Sequence, residues 1–350
     1  MIKTLLLSAL AVTLTAQAST PAHHLPDGTF TNTDGSQSDK PFSDLMRWRS
    51  ERGDLPLDEY FSDARIEKTL TALNYQPNAP IPDTPERGAV VTWLGHASFL
   101  IQTPNLTLLT DPHLTSRASP FSFAGPKRFG PKPMDVNALP PVDVVVISHN
   151  HYDHLDKRTI KALLKSQPSE PRWLVPLGLA PWFKGVGAGN VREMDWWQIE
   201  GVGEADIHFV PVHHWSARTP TNRNKTLWGG WVLKSDDLDY FFAGDTGWSS
   251  DFRDIGQRLG PFDLSSLPVG AYEPRWFMKQ HHVNPAEAVD IHLAVRSDRS
   301  IGMHWGTFQL TDEPYDQPVM DLAAARKAKG VSAEDFFVLP HGASVQVDPP

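Results

Sequence analysis

The stretch Ser148-His149-Asn150-His151-Tyr152-Asp153-His154 decides the fold, because it gathers four metal-binding side chains in six residues. It follows an apolar run at residues 142–147, which predicts a buried strand, and precedes a helical pattern that Asp156 would cap. His149 and His151 are two residues apart, so in extended backbone they point the same way and can bind one ion. Asp153 and His154 are adjacent and diverge, and therefore suit a second ion nearby.

Other short apolar segments also end in side chains that bind metals. His213 and His214 follow the segment 207–212, Asp245 follows 239–243, and His304 follows 300–303. If these strand ends meet at one edge of a sheet, they complete two sites. The first is predicted from His149, His151 and either His213 or His214, and the second from Asp153, His154 and His304, with Asp245 bridging the two.

These residue types predict a metal-dependent hydrolase. Imidazole and carboxylate without sulfur suit zinc, although iron and manganese remain compatible. Two ions about 3.5–4 Å apart can hold a bridging hydroxide at neutral pH and neutralise charge on a phosphoryl or carbonyl oxygen. The predicted reaction is hydrolysis with metal-bound hydroxide as the nucleophile, and Asp153 and Asp245 are its predicted catalytic carboxylates.

Composition narrows the class of protein and its location. The chain has 350 residues, 40% of them hydrophobic, and a formal net charge of -9, which disfavours nucleic acid as a partner. Lys3, the apolar residues 5–14 and Ala16-Gln17-Ala18 predict a cleaved signal peptide at 1–18 and export to the periplasm or beyond. The absence of cysteine excludes a cysteine-ligated zinc site.

The remaining chain divides into an extension and a hydrolase domain. Residues 19–88 are predicted to be the extension, with helices at 42–52 and 58–73. Its polar part, 19–40, predicts a mobile surface arm on which His23 and His24 are solvated. Residues 89–350 alternate short strands with helices, which predicts one α/β domain of layered sheets and helices.

Longer motifs give a family resemblance that covers about residues 89–345. Val91-Thr92-Trp93-Leu94-Gly95-His96-Ala97-Ser98 and Phe241-Phe242-Ala243-Gly244-Asp245-Thr246-Gly247 resemble the N-acylphosphatidylethanolamine-hydrolysing phospholipase D family of the metallo-β-lactamase superfamily. The same resemblance extends to residues 110–112, 116–120, 125–129, 270–279, 304–308 and 334–339.

The resemblance implies an αββα sandwich that carries two zinc ions at one sheet edge. It assigns His149, His151 and His214 to one ion, and Asp153, His154 and His304 to the other, with Asp245 between them. His282 matches the family's histidine and is a candidate for protonating the leaving group or contacting phosphate. The implied reaction converts N-acylphosphatidylethanolamine to N-acylethanolamine and phosphatidic acid.

Substrate contacts are expected in two places. The loop at 121–129 departs from the family pattern, and its Phe121 and Phe123 could enter a lipid interface while Lys127 and Arg128 meet phosphate. The alternative is an ordinary packed loop. Glu273 and Arg275 could position a headgroup or form a structural ion pair, and the sequence leaves this open.

Two residues outside the metal loop, Asp111 and His96, are expected to lie close to it. Asp111 is expected to orient a ligand histidine, and His96 either borders the metals or hydrogen-bonds to a loop carbonyl.

Two alternative functions remain for the protein. The first is a metallo-hydrolase of another ester, lactone or phosphodiester, and the second is a non-catalytic lipid- or metal-binding protein. A homodimer and peripheral membrane contact are also left open.

Overall fold

Two β-sheets form the centre of the protein, whose computed structural model describes residues 21–37 and 40–349. The signal peptide predicted at 1–18 lies outside the described residues. The strands are β1 (Ala89–Gly95), β2 (Ser98–Thr103), β3 (Leu106–Thr110), β4 (Val144–Val146), β5 (Arg172–Pro176), β6 (Val191–Met194), β7 (Ile199–Val202), β8 (Ala205–Val210), β9 (Gly230–Lys234), β10 (Tyr240–Phe242), β11 (Phe262–Pro268), β12 (Ser297–Met303), β13 (Phe336–Val338) and β14 (Ser344–Val347).

Helices lie before, between and after these strands. They are α1 (Phe42–Gly53), α2 (Leu57–Tyr60), α3 (Asp63–Ala72), α4 (Lys157–Ser166), α5 (Ala180–Val186), α6 (Asp251–Arg258), α7 (Arg275–Met278), α8 (Pro285–Val295) and α9 (Gln317–Lys329). The helix predicted to follow the metal loop is α4. The side chain of Asp156 accepts hydrogen bonds from the backbone N–H groups of Arg158 and Thr159, which confirms the predicted cap.

The two sheets repeat one pairing pattern. The first has the order β14-β1-β2-β3-β4-β5-β6, and the second has the order β13-β12-β11-β10-β9-β8-β7. In each sheet, three antiparallel pairings sit at one end and three parallel pairings at the other. Parallel pairing requires crossover connections, and here helices supply several of them.

Side-chain alternation along the strands builds the layers. Val91, Trp93 and Phe99 belong to the core that also contains the apolar residues of the second sheet. Leu100 and Val145 face the opposite way and pack in a second core with residues of α4 and α5. Helices α6, α8 and α9 pack together against the second sheet. The order of layers is helix, sheet, sheet, helix, which confirms the predicted αββα sandwich.

The N-terminal extension is attached to the domain. Arg52 of α1 forms an ion pair with Asp312 at 2.7 Å, and Arg65 of α3 forms one with Asp316 at 2.7 Å. The single helix predicted at 58–73 is two helices in the structure, since α2 ends at Tyr60 and a new helix, α3, begins at Asp63.

The arm at residues 21–37 is hydrogen-bonded to the domain rather than solvated along its length. The backbone N–H of Phe30 donates to the carbonyl of Asn224 at 2.8 Å, and His23 and His24 both contact Asp195 rather than solvent. The prediction that His23 and His24 are solvated was wrong because their partner Asp195 lies far along the chain, and the local composition of the arm gives no sign of it. Within the described residues, no helix combines the length and apolar character needed to cross a bilayer.

Candidate metal centre

All seven predicted ligands meet where strands of both sheets end. The loop 148–156 follows β4 of the first sheet, whereas His214, Asp245 and His304 follow β8, β10 and β12 of the second. Strands that point toward the same edge deliver the residues that follow them to that edge, as the repeated strand-end pattern predicted. The ligand atoms fall into two adjoining groups: His149, His151, His214 and Asp245; and His96, Asp153, His154 and His304.

Three imidazole nitrogens converge in the first group. Nε2 of His149 lies 2.8 Å from Nδ1 of His151, which in turn lies 3.3 Å from Nε2 of His214. At most one proton can lie between two such nitrogens, so the group offers lone pairs that a cation would satisfy. Oδ2 of Asp245 lies 3.9 Å from Nε2 of His149 and 3.9 Å from Nε2 of His214.

The second group is built around two carboxylates. Oδ2 of Asp153 lies 3.3 Å from Nε2 of His304 and 3.5 Å from Nε2 of His154. Asp245 reaches the same imidazoles, with Oδ1 at 3.0 Å from His304 and Oδ2 at 3.1 Å from His154. Asp245 therefore borders both groups, as a bridging ligand must. His96 joins this group, because its Nε2 lies 3.0 Å from Oδ2 of Asp153. Of the two positions predicted for His96, the structure therefore shows the one beside the metal ligands.

Buried hydrogen bonds fix the orientation of the ligands. Nδ1–H of His154 donates to Asp111 at 2.6 Å, which leaves Nε2 facing the site and confirms the predicted role of Asp111. The backbone N–H of Ser148 also donates to Asp111, at 2.7 Å. The hydroxyl of Ser148 donates to Asp111 and can accept from Nδ1–H of His149 at 2.9 Å.

The geometry distinguishes His214 from His213. Nδ1–H of His214 donates to the carbonyl of His281 at 3.0 Å, so its Nε2 faces the first group. His213 lies outside both groups, because its Nδ1–H donates to the carbonyl of Gln280 at 2.9 Å and its Nε2 meets the hydroxyl of Ser36 at 2.8 Å.

The electrostatics fit a bound cation. Burial holds the pKa of His151 at about 4, and it lowers the pKa of His149 and His214 well below the usual range, so these imidazoles are neutral. Burial alone would also lower the pKa of His304, but Asp245 and Asp153 outweigh it and raise the pKa to about 9. The paired carboxylates thus require positive charge beside them.

Unsatisfied buried atoms give the same result. Oδ1 of Asp245 and Nε2 of His154, which both face the site, have no hydrogen-bond partner among residues 21–37 and 40–349. A buried polar atom without a partner is costly, and a metal ion is one way to satisfy both of these atoms together. The donor set therefore fits metal ions of the kind that imidazole and carboxylate bind.

His282 lies at the border of the site. Its Nδ1 is 4.0 Å from Oδ2 of Asp245, and its ring faces those of His214 and His304. Burial holds the pKa of His282 at about 3. The side chains of His282 and Asp153 are 16% and 14% exposed, against 2% for Asp245, so these two residues mark the open side of the centre.

The predicted basic pair is divided by the fold. Lys127 is exposed, but Arg128 is buried, and its guanidinium donates to the carbonyls of His113 and Thr115. Arg128 was therefore wrongly predicted to meet phosphate at the surface. Phe121 and Phe123 are 56% and 78% exposed, as a surface contact requires.

Arg275 makes structural contacts. Its guanidinium binds Glu287 at 2.7 Å and the carbonyl of His282 at 2.8 Å, and its backbone N–H donates to Glu273 at 2.9 Å. The guanidinium of Arg275 therefore holds the segment that carries His282, and its ion-pair partner is Glu287 rather than Glu273.

Two residues that support the site were missed by sequence reasoning. Asn32 accepts a hydrogen bond from the backbone N–H of His214 at 3.1 Å, and Arg218 donates to the carbonyls of Asn150 and Leu155, both at 2.8 Å. Neither residue stands in a motif, and both act from distant positions along the chain, so no local signal could have revealed them.

Paired histidine and aspartate groups at the edge of an αββα sandwich define a class of protein, the metal-dependent hydrolases of the metallo-β-lactamase fold. In agreement, residues 107–305 match the family described as Beta-lactamase superfamily domain. The structure of Igni18, a metallo hydrolase from Ignicoccus hospitalis, superposes with a TM-score of 0.56 at 17% identity, covering 75% of this chain and 99% of that one. At that identity the likeness shows the fold alone.

Sequence relatives narrow the class. The chain is 39% identical over 321 residues to N-acyl-phosphatidylethanolamine-hydrolyzing phospholipase D 1 of Caenorhabditis elegans, covering 88% of each protein. It is 36% identical over 234 residues to the mitochondrial protein of the same name from Saccharomyces cerevisiae, covering 65% of this chain and 49% of the relative. The chain belongs to the N-acyl-phosphatidylethanolamine-hydrolyzing phospholipase D family.

Proposed function

We propose that this hydrolase uses two zinc ions to cleave N-acylphosphatidylethanolamine into N-acylethanolamine and phosphatidic acid. The observation that carries the dinuclear centre is the position of Asp245, whose carboxylate borders both ligand groups. The proposed substrate is the lipid that appears in the names of the relatives from Caenorhabditis elegans and Saccharomyces cerevisiae.

Each of the two ligand groups would hold one ion. His149, His151 and His214 would hold one ion, Asp153, His154 and His304 the other, and Asp245 both. Zinc ions at such a site lower the pKa of a bound water and neutralise charge on a phosphoryl oxygen. Ser148 and Asp111 keep the imidazoles in the tautomers that present lone pairs to the site.

The phosphodiester is expected to approach from the side that Asp153 and His282 leave open. Water attacks phosphorus, the bond between phosphorus and the ethanolamine oxygen breaks, and phosphatidic acid remains. We assign Asp153 to orient the attacking water by accepting a hydrogen bond from it, because its carboxylate is ionised: the adjacent histidines hold its pKa well below the usual range despite burial.

The alkoxide that leaves is stabilised by a hydrogen bond, which we assign to the ring N–H of His282 because burial keeps this imidazole neutral. The proton that the alkoxide finally takes is the one released by the attacking water and reaches it through solvent. Arg275 holds the carbonyl of His282, so the ring has a defined position beside Asp245. His282→Ala should lose hydrolysis of an ethanolamide diester and retain hydrolysis of an aryl diester, whose leaving group needs no such hydrogen bond. Equal loss on both substrates would contradict this role, and His208→Ala, on β8, is the matched control.

We further propose that the loop tip contacts lipid and that the protein is exported. Phe121 and Phe123 stand together, with ring centroids 5.6 Å apart, on a loop whose Arg128 packs over Phe308. Phe308 also contacts His96, so the exposed rings are connected to the border of the site. Export follows from the signal pattern at 1–18 and is tested by the N-terminal sequence of the protein recovered from the periplasm.

The decisive experiment is turnover of the proposed lipid. Zinc-loaded protein is incubated with N-acylphosphatidylethanolamine in mixed micelles, and the products are identified by mass. N-acylethanolamine with phosphatidic acid would support the proposal, provided that Asp245→Asn prepared in the same way is inactive. Absence of turnover, together with hydrolysis of a lactone or a generic phosphodiester, would reject the lipid and leave the centre as that of another hydrolase.

A further inference from the structure

A second group of metal-binding side chains lies on the arm, away from the candidate metal centre. Nε2 of His23 is 2.7 Å from Oδ1 of Asp195, and Nε2 of His24 is 2.8 Å from Oδ2 of the same carboxylate. The three ligand atoms lie within 4.8 Å of one another, and none of the three residues belongs to the groups around Asp245. We propose that His23, His24 and Asp195 bind one divalent transition-metal ion.

The backbone makes two adjacent histidines converge. Neighbouring side chains in a strand point to opposite faces, but Pro21 begins a turn here, and the N–H of His24 donates to its carbonyl at 3.0 Å. As a result both Nε2 atoms reach one carboxylate. The two rings meet edge to face, with centroids 4.5 Å apart.

The surroundings hold each ligand in position. The ring of His23 stacks on Trp196 at 4.3 Å, and the ring of His24 packs edge-on against Phe30 at 5.1 Å. The backbone N–H of Trp196 donates to Oδ1 of Asp195 at 2.8 Å, and the adjacent backbone N–H of Asp195 is held by Gln198. Ligands whose orientation is fixed before binding lose little freedom when an ion arrives.

The donor set indicates the kind of ion. Two imidazoles and one carboxylate suit zinc, cobalt or nickel, whereas calcium and magnesium prefer oxygen ligands. The side chains of His23, His24 and Asp195 are 13%, 27% and 14% exposed, so water can reach the group and complete the coordination shell. The same two ligand types, imidazole and carboxylate, make up the candidate metal centre.

This site would fasten the arm that supports His214. From Asp195 the contacts continue through Trp196, whose indole donates to the carbonyl of Trp228 at 2.6 Å. The indole of Trp228 donates to Oδ1 of Asn32 at 3.0 Å, and the backbone N–H of His214 donates to that same oxygen. An ion at His23, His24 and Asp195 therefore anchors the end of a segment that reaches the candidate metal centre.

The test counts metal ions in the tag-free full chain. Protein saturated with Co²⁺ and passed through a desalting column is analysed for cobalt per chain. The double variant His23→Gln/His24→Gln should hold one equivalent fewer than the wild type, and Asp195→Asn should show the same loss. His208→Gln removes an imidazole outside every ligand group and should leave the count unchanged.

Two results would overturn the proposal. Equal cobalt content in the wild type and the double variant would mean that the three residues only hydrogen-bond to one another. Loss of an equivalent in the double variant but not in Asp195→Asn would mean that the ion is held elsewhere. Limited proteolysis of the arm adds a second readout, because added Co²⁺ should slow cleavage in the wild type alone. Lipid turnover is not measured, so the outcome is independent of the proposed function.

Discussion

The side-chain oxygen of Asn32 accepts a hydrogen bond from the backbone N–H of His214 at 3.1 Å and joins the N-terminal arm to the candidate metal centre. The same oxygen accepts the indole N–H of Trp228 at 3.0 Å. Both donors are buried, so the arm satisfies two groups that water cannot reach. The N-terminal arm therefore supplies a hydrogen-bond acceptor to the backbone of a candidate metal ligand.

Asn32→Ala should weaken both the fold and the centre. The buried N–H of His214 loses its acceptor, at a cost of about 1–3 kcal/mol, whereas the indole of Trp228 keeps the carbonyl of Val212. We expect a lower unfolding midpoint and weaker zinc retention against a chelator. Asn105→Ala, at an exposed turn, is the control; if it and Asn32→Ala behave alike, the arm does not support the centre.

Asp111→Asn should reduce metal affinity with little change in overall structure. The amide cannot accept from all of its present donors, so His154 loses the bond that fixes its tautomer. Such changes weaken metal binding by about 10–100-fold. Competition with a chromogenic chelator measures the affinity. Asp143→Asn, which alters a carboxylate that accepts from the backbone of Thr107, should leave it unchanged.

Gly247→Ala should displace the segment that carries His282. A Cβ at position 247 would stand 2.3 Å from the carbonyl oxygen of Gln280, so that backbone must move. The carbonyl of His281, which orients His214, belongs to the same segment. We expect a fall in activity of at least about tenfold, since small displacements of reacting groups are costly.

Gly201→Ala is the control for that substitution. Its added Cβ would meet only the side chain of Asp206, at 3.8 Å, and should not affect turnover. Full activity of Gly247→Ala would show that the position of segment 280–282 does not matter for the reaction.

His341 should contribute to loss of stability in acid. Burial, followed by the charge of Arg128, lowers its pKa from 6.5 to about 3 in the folded protein. The unfolded chain therefore binds this proton first as the pH falls, and stability decreases between those two values by up to about 1.4 kcal/mol per pH unit. His341→Gln should unfold with a shallower dependence on pH in that window, measured by denaturant titration. An unchanged slope would contradict the assignment.

Phe123→Ser should reduce binding to lipid vesicles while sparing soluble substrates. A phenylalanine that enters an interface contributes about 1.5–3 kcal/mol, so we expect roughly a tenfold or larger loss in vesicle co-sedimentation. Leu293→Ser changes a side chain that is 51% exposed on α8 and serves as the control. Equal binding by both variants and the wild type would exclude this loop as the lipid contact.

Local spacing predicted which histidine and aspartate side chains meet at the sheet edge, and it indicated the support from Asp111, but it did not indicate Asn32 or Arg218. His149, His151, Asp153 and His154 could be recognised because strand geometry and metal chemistry act within six residues. The choice between His213 and His214 needed either a family pattern or the third dimension, since both follow the same strand.

Most of the wrong predictions concerned which side chains are buried and which are exposed. Lys127 and Arg128 are neighbours of the same charge, yet one is exposed and the other is buried beside Phe308. His23 and His24 appeared solvated because Asp195 is more than 170 residues away. Contacts across such separations are set by how the layers pack, which local composition does not record.

The ligands of the candidate metal centre come from both sheets. His149, His151, Asp153 and His154 follow a strand of the first, and His214, Asp245 and His304 follow strands of the second. Neither half of the sandwich holds a complete set, so a bound cation would link the two layers through its ligands. Cation binding would then stabilise their association, and a chain cut between the halves should reassemble more tightly with cations present.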